Sequence, residues 1–168
     1  LALCRRNSST AALLYMDLNG FKAVNDSLGH EIGDQLLKAV SQRSSKVLRD
    51  SDTLARLGGD EFTLLLPGSP SNDDVTAIVK KLTASLIDPF ELAGTQLHIS
   101  NSIGVAFFPQ DGANRVDLIA AAEHAGNPGY NSPLHDAMTL AMYAYLKRHE
   151  CCPLNEQQVF TLISGDAV

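Results

Sequence analysis

The chain has 168 residues, a length that suits one domain with a short additional segment. Hydrophobic residues make up 45% of the chain and charged residues 19%, so a sizeable core is available. The net charge of −6 disfavours general binding to nucleic-acid polymers, because such proteins are usually basic. An acidic domain still binds a nucleotide when a divalent cation bridges its carboxylates to the phosphates.

The cysteines indicate a reducing environment. Cys4, Cys151 and Cys152 are odd in number and lack the spacing of a zinc site. We therefore expect a cytoplasmic domain, in a full-length protein that could also carry a membrane anchor. Residues 1–4 resemble the end of a helix, and no apolar run reaches the roughly 18 residues of a membrane span.

The first elements are a strand and two helices. An apolar run at residues 11–18 predicts a buried strand that ends close to Asp17. Residues 20–28 then fit a short helix, which Gly29 interrupts. Farther along, apolar residues recur at helical spacing, so the pattern predicts an amphipathic helix over residues 30–48.

A hairpin and a third helix follow. Two apolar runs, residues 53–57 and 61–66, flank Gly58-Gly59 and predict a β-hairpin with the glycines at its turn. Glycine suits both turn positions because it adopts positive φ without a steric cost. After a loop, Asp73-Asp74 is typical of a helix N-terminus, and the helix that follows keeps its apolar residues on one face.

The remaining strand and helix determine the predicted fold class. Residues 97–108 are apolar and β-prone, and residues 116–125 begin another helix. Strands and helices thus alternate around a central hairpin, which predicts an α/β or α+β domain with a mixed sheet.

The alternation of predicted strands and helices stops after residue 125. Residues 126–133 have the composition of a loop, and residues 137–148 are helical in pattern again. We therefore expect a domain core at residues 1–125 and a divergent C-terminal segment at residues 126–168, part of which could complete the last helix.

Three carboxylates stand at positions where a sheet presents ligands. Asp17 ends the predicted strand, and Asp60-Glu61 lies at the hairpin turn. Carboxylates at such positions offer the hard oxygen ligands that Mg²⁺ prefers. A turn aspartate also commonly bonds its own backbone, and spacing alone does not show that the two places meet.

The hairpin sequence GGDEF, residues 58–62, is the signature of the GGDEF family, the diguanylate cyclases, and its surroundings resemble that family too. The resemblance covers residues 3–125 with order and spacing intact. The further matches are YMDLNGFK at residues 15–22, VNDSLGH at residues 24–30, Gly33-Asp34, ARL at residues 55–57 and SIGVA at residues 102–106.

The resemblance implies a central sheet wrapped by helices, similar to the palm of adenylyl cyclases and polymerases, with the signature on a β-hairpin. The implied activity joins two GTP molecules into cyclic di-GMP and releases pyrophosphate. This chemistry needs a homodimer in which each copy carries one GTP. The implied partners are GTP, cyclic di-GMP and, in the full-length protein, a fused sensor or EAL domain.

The resemblance also implies roles for the carboxylates. Asp17, Asp60 and the carbonyl of Leu18 correspond to the ligands of Mg²⁺ or Mn²⁺, which stabilises charge at the attacked phosphorus. Asp60 or Glu61 would help to activate the ribose 3′-hydroxyl.

Further positions correspond to substrate contacts. The main-chain amides at residues 20–22 would bind phosphates, as a nest at a helix start does. An aspartate accepts hydrogen bonds from guanine N1–H and its amine, whereas adenine presents an acceptor at N1. Asn25 and Asp34 match the guanine-binding pair of the family. The alternatives for them are a helix-capping asparagine and a surface aspartate. The implied substrate-binding residues are Gly20, Phe21, Lys22, Asn25, Asp34 and Gly59.

Arg49 and Asp52 match the family's inhibitory product site, where arginine pairs with the phosphate and guanine of cyclic di-GMP. A lone arginine would bind such a ligand weakly, so a second basic contact is expected, with Lys80 or Lys81 as candidates. The alternative is an ordinary helix end.

Two departures from the family support a second hypothesis. The Asp-x-Leu-Thr-x-Leu-x-Asn-Arg stretch before the first strand is missing, so the N-terminal helix is expected to be truncated. The basic residues that hold the triphosphate in the family are missing directly after residue 125, where Pro128 would end the helix. Lys147 and Arg148 are candidates to replace them, and a solvated helix face is the alternative for these two residues. The alternative function is a catalytically impaired module that responds to GTP or cyclic di-GMP, as in GGDEF domains upstream of EAL domains, which residues 89–112 resemble.

Overall fold

The computed structural model describes residues 1–126. The predicted helix over residues 137–148, Lys147, Arg148, Cys151 and Cys152 lie outside the described residues. In chain order the elements are α1 (Ala2–Arg6), β1 (Ala11–Asn19), α2 (Phe21–Leu28), α3 (His30–Ser45), β2 (Thr53–Gly58), β3 (Glu61–Pro67), α4 (Asn72–Ser85), β4 (Phe90–Leu92), β5 (Thr95–Leu97), β6 (Ser100–Phe108) and α5 (Arg115–Gly126).

Four strands form the main sheet in the order β2-β3-β1-β6, and β4 pairs with β5 in a separate ribbon. The predicted α+β class is confirmed. The prediction of a mixed sheet is wrong for residues 1–126, because every pairing there is antiparallel. After α2 and α3 the chain returns as β2 one strand away from β1, and β3 fills the gap as the second half of the hairpin. This arrangement is a split βαβ unit.

β1 lies in the middle of the sheet and is buried on both faces. Its even-numbered residues pack on one side against α2, α3 and α4, and its odd-numbered residues pack against α1 and α5. Two-sided burial explains why the sequence of β1 is continuously apolar rather than alternating. Each large apolar side chain buried in this way contributes about 1.5–3 kcal/mol.

The helices match the predictions except at the end of α3, which stops at Ser45 instead of continuing to residue 48. The next three amides, Lys46 to Leu48, bond to carbonyls three residues back, which tightens the chain into a 3₁₀-like turn. Val47 and Leu48 still pack against the core, so their helical spacing persists beyond the helix. Within residues 1–126, no helix combines the length and hydropathy needed to cross a membrane.

The predicted hairpin is confirmed, but its turn is shifted by one residue. Gly58 pairs with Glu61, so the two connecting residues are Gly59 and Asp60. A bulge between Arg56 and Gly58 causes the shift. Only Gly59 needs the left-handed region, with φ of 52°.

The apolar stretch at residues 97–108 is interrupted. Leu97 ends β5, and β6 begins at Ser100. The β4–β5 ribbon was not predicted, because strands of three residues carry too little alternation to be recognised.

Candidate active site

Carboxylates from two strands meet at one edge of the sheet. β1 ends there, and its antiparallel neighbours β3 and β6 begin there. Asp17 lies directly opposite Glu61 of β3 on one side and Ser102 of β6 on the other. Residues opposed in this way have Cβ atoms roughly 4.5–5.5 Å apart. Asp60 immediately precedes Glu61 in the turn, so the structure brings the three predicted acidic residues to the same edge.

A cavity of about 270 Å³, here called the carboxylate cavity, opens at this edge. Alternate residues of β1 line it from the sheet, and the last turn of α5 lines it from above. A β-carbon on Gly104 would overlap the Ala122 carbonyl and the Gly126 amide, so α5 lies directly on β6 there. The lining residues are Tyr15, Asp17, Asn19, Glu61, Ser102, Glu123 and Gly126.

Negative charge accumulates around Asp17. Burial raises the pKa of this carboxyl first, and the charges of Asp60 and Glu61 raise it further. A main-chain hydrogen bond at Leu18 lowers it, and within residues 1–126 no basic group is among the charges that act on it. An uncompensated cluster of this kind favours a cation.

Tyr15 was not singled out in the sequence, although it faces the same cavity. Its side chain is buried, and the Glu61 carboxylate lines the same cavity. Burial, the interaction with Glu61 and the nearby negative charges of Glu123 and Asp17 raise the pKa of Tyr15 above its usual range. The phenol therefore stays protonated at neutral pH. Its position two residues before Asp17 was the available signal, since alternate strand residues share a face.

The start of α2 lies next to the carboxylates. Gly20 precedes the helix with φ of 85°, a left-handed conformation, and no side chain among the described residues caps the helix. Phe21 is buried in the core and anchors this turn, whereas Lys22 is exposed. The uncapped amides of a helix N-terminus attract anions. The predicted phosphate-binding residues thus lie at the start of α2, three to five positions beyond Asp17.

The predicted guanine-binding pair lies at the junction of α2 and α3. Asn25 lies against Gly33, the residue before Asp34, and its Oδ1 is buried. Asp34 is exposed on α3. In the hairpin turn, the carbonyl of Gly59 accepts a hydrogen bond of 2.8 Å from Arg56 Nε.

Comparison with known proteins decides the family. A profile described as "Diguanylate cyclase, GGDEF domain" matches residues 1–127. The chain belongs to the GGDEF domain family.

Three relatives show the range of proteins that carry this domain. MucR of Pseudomonas aeruginosa, a bifunctional diguanylate cyclase/cyclic di-GMP phosphodiesterase, is 43% identical over 130 residues, which are 75% of this chain and 19% of MucR. NbdA of the same organism, a cyclic di-GMP phosphodiesterase, is 40% identical over 119 residues, 71% of this chain and 15% of NbdA. The solved GGDEF domain of P. aeruginosa TpbB superposes with a TM-score of 0.70 at 35% identity, covering 74% of this chain and 73% of that one. The chain thus spans less than a fifth of the first two relatives.

The Arg49–Asp52 turn of this GGDEF domain lies away from the carboxylate cavity. It precedes β2, whereas the signature turn follows β2, so the two are separated by roughly 17 Å of strand. Asp52 Oδ2 accepts a hydrogen bond of 2.9 Å from the Arg49 amide, and the Asp52 amide donates to the Arg49 carbonyl at 3.0 Å. Asp52 therefore closes the turn after α3, as the helix-end alternative expects. Lys80 and Lys81 are exposed on α4.

Proposed function

We propose that this GGDEF domain is a diguanylate cyclase that condenses two GTP molecules into cyclic di-GMP and two pyrophosphates. The observation that supports it most is the pairing of Asp17 with Glu61 across β1 and β3, beside Asp60 and the uncapped start of α2. That arrangement combines oxygen ligands for a cation with amides for phosphate.

The reaction has two equivalent steps. In each step the 3′-hydroxyl oxygen of one GTP forms a bond to the α-phosphorus of the other. The bond from that phosphorus to the bridging oxygen of the β-phosphate breaks, pyrophosphate leaves, and Asp60 or Glu61 takes the hydroxyl proton. Because each copy binds one GTP, two copies must face each other, so we propose a homodimer.

The donor set suits Mg²⁺ or Mn²⁺. Asp17, Asp60 and the Leu18 carbonyl would hold the ion, and the raised pKa of Asp17 is consistent with a site that lacks its counter-charge. The bound ion would neutralise phosphate oxygens as charge develops on them. Within the described chain, no group of three or more acidic, histidine or cysteine side chains is assembled for a metal. Water and nucleotide phosphates would therefore complete the coordination, as is usual for Mg²⁺.

The nucleotide would lie between the carboxylates and the α2–α3 junction. The amides at residues 20–22 would bind phosphates, and Gly59 would let the substrate approach the turn. Asn25 and Asp34 would read guanine.

Two measurements test this proposal. Incubation with GTP and Mg²⁺, followed by chromatography, should yield cyclic di-GMP. Calorimetric titration should give tighter binding of GTP than of ATP, with Asp34→Ala abolishing the preference. Equal affinity for the two nucleotides would overturn the assignment of Asn25 and Asp34.

A regulatory module that binds GTP without turnover is the second candidate. The likeness to NbdA, a phosphodiesterase, favours it, as does the lack of the family's basic segment directly after residue 125. GTP binding without cyclic di-GMP formation in the same incubation would select this function. In either case we propose that Arg49 and Asp52 bind cyclic di-GMP, and that the whole protein carries a sensor or EAL domain.

A further inference from the structure

The packing of α2 on α3 depends on one glycine. Asn25 Oδ1 is buried and has no hydrogen-bond partner within residues 1–126. A β-carbon added to Gly33 would overlap that oxygen, and would lie 3.0 Å from Asn25 Cγ and 3.3 Å from Phe21 Cζ. The Asn25 carboxamide therefore occupies the space that a side chain at position 33 would fill.

The backbone conformation does not explain why residue 33 is a glycine. Gly33 lies inside α3 and is not among the residues with positive φ. Alanine is ordinarily more favourable than glycine in a helix interior, because glycine loses more backbone entropy on folding. The space that the Asn25 side chain occupies is therefore the remaining explanation for a glycine at position 33.

The buried oxygen shows how the carboxamide is oriented. Oδ1 is turned toward Gly33 and is closed to a ligand, whereas Nδ2 is not among the buried polar atoms of the described residues that lack a partner. The amino group is therefore the part of the carboxamide that a ligand reaches. Asp34, the next residue, is exposed at the same junction. Guanine carries both acceptor atoms and N–H groups, so the Asn25 amino group and the Asp34 carboxylate together suit this base.

We propose that Gly33 is a positioning residue for base recognition, which rests on the proposed binding of GTP. Its missing side chain lets the Asn25 oxygen pack against α3, which holds the carboxamide in the orientation that directs its amino group to an acceptor of guanine. Gly33 itself touches no substrate in this proposal.

The test is a double-mutant cycle on the whole chain, with Gly33→Ala, Asn25→Ala and both changes together. GTP and ATP are titrated against each variant, and thermal unfolding is followed by circular dichroism. We expect Gly33→Ala to reduce the ratio of GTP to ATP affinity at least tenfold and to lower the Tm. In the Asn25→Ala background the same change should leave the Tm unchanged or raise it, because the overlap is gone. Lys38→Ala, an exposed position on α3, is the control and should match the wild type.

The outcomes separate the two proposals. A wild-type GTP preference that survives Gly33→Ala would overturn the positioning role alone. A drop in Tm that is equal in both backgrounds would also overturn it, since other neighbours would then cause the conflict. If Gly33→Ala fails to fold and the double variant folds, the contact is supported. A wild-type chain without any preference for GTP would overturn the proposed function, and the positioning role with it.

Discussion

At the scale of single residues, Asp17 shows a conflict between the site and the fold. Its pKa is raised from the ordinary value of 3.8 by burial and by Asp60 and Glu61. A carboxyl with a raised pKa stabilises the fold while it is protonated, and that contribution is lost as the pH rises through the shifted value. At neutral pH the ionised Asp17 therefore disfavours the cation-free fold.

Asp17→Asn should consequently raise the Tm of the cation-free domain at neutral pH. The difference from wild type should shrink as the pH is lowered through the raised pKa of Asp17, because wild-type Asp17 then becomes neutral as well. The added stability that Mg²⁺ and GTP give to the wild type should be lost in the variant. Thermal unfolding with and without Mg²⁺ and GTP measures both effects, and Asp50→Asn, an exposed position, serves as the control. A lower Tm for Asp17→Asn would contradict the prediction.

The residues of the site differ in how visible they are in the sequence. Asp17, Asp60 and Glu61 were found because they belong to recognisable motifs at strand and hairpin ends. Tyr15 and Glu123 were not, since their relevance depends on the register of β1 and on where α5 meets the sheet. Likewise, the overlap between Asn25 and Gly33 arises from the packing of two helices, which no local pattern encodes.

At the scale of elements, Arg43 joins α3 to the segment that leads into β4. Its guanidinium donates to the carbonyls of Ser85, Asp88 and Pro89, with the last bond at 2.7 Å and the first at 3.5 Å. It also lies 3.7 Å from the centroid of the Phe90 ring. One side chain thus fixes the loop after α4 against α3.

Arg43→Met should destabilise the domain by about 2–3 kcal/mol, since charged hydrogen bonds to carbonyls contribute roughly 1.5–3 kcal/mol. The methionine keeps part of the apolar contact with Phe90 but donates nothing. Urea unfolding gives the free energy, and Lys46→Met, an exposed change near the same helix end, is the control. Equal stabilities of the two variants would show that Arg43 does not hold the loop.

The start of α4 allows a comparison of two serines. Ser71 Oγ accepts a hydrogen bond from the Asp74 amide at 3.2 Å, and the Asp74 carboxylate accepts one from the Ser71 amide at 3.0 Å, which forms a capping box. Ser44 Oγ, by contrast, is fully buried without a partner in the described chain. Ser71→Ala should therefore cost about 1 kcal/mol, whereas Ser44→Ala should be neutral or stabilising. Urea unfolding of both variants checks this, and a larger loss at Ser44 would contradict it.

Helices and strands whose apolar residues recur with a clear period were predicted from the sequence, and those with a weak period were not. β1 and the core face of α4 were correctly placed because many apolar residues fit one pattern. The end of α3 was misplaced because Val47 and Leu48 keep the helical spacing after the helix has tightened. The hairpin turn was misplaced by one residue because a bulge leaves no mark in the apolar pattern.

At the scale of the whole molecule, the two proposed nucleotide sites lie at opposite ends of β2. Arg49→Ala should weaken cyclic di-GMP binding about ten- to a hundredfold, because it removes charge-assisted hydrogen bonds to phosphate. GTP binding should change little, since Arg49 does not line the carboxylate cavity. Calorimetric titrations of both ligands against wild type and variant measure this. Unchanged cyclic di-GMP affinity would leave the Arg49–Asp52 turn with a structural role only.

The central place of β1 has a consequence for synthesis on the ribosome. This strand leaves the ribosome before the other strands of the sheet, yet its neighbours β3 and β6 end only at Pro67 and Phe108. Both of its edges therefore stay exposed until β3 has emerged, and the edge that pairs with β6 stays exposed until Phe108 has been translated. Pairing across such sequence distances is slow, and an exposed apolar strand tends to aggregate. This domain should accordingly depend most on chaperones when its nascent chain ends shortly before β6.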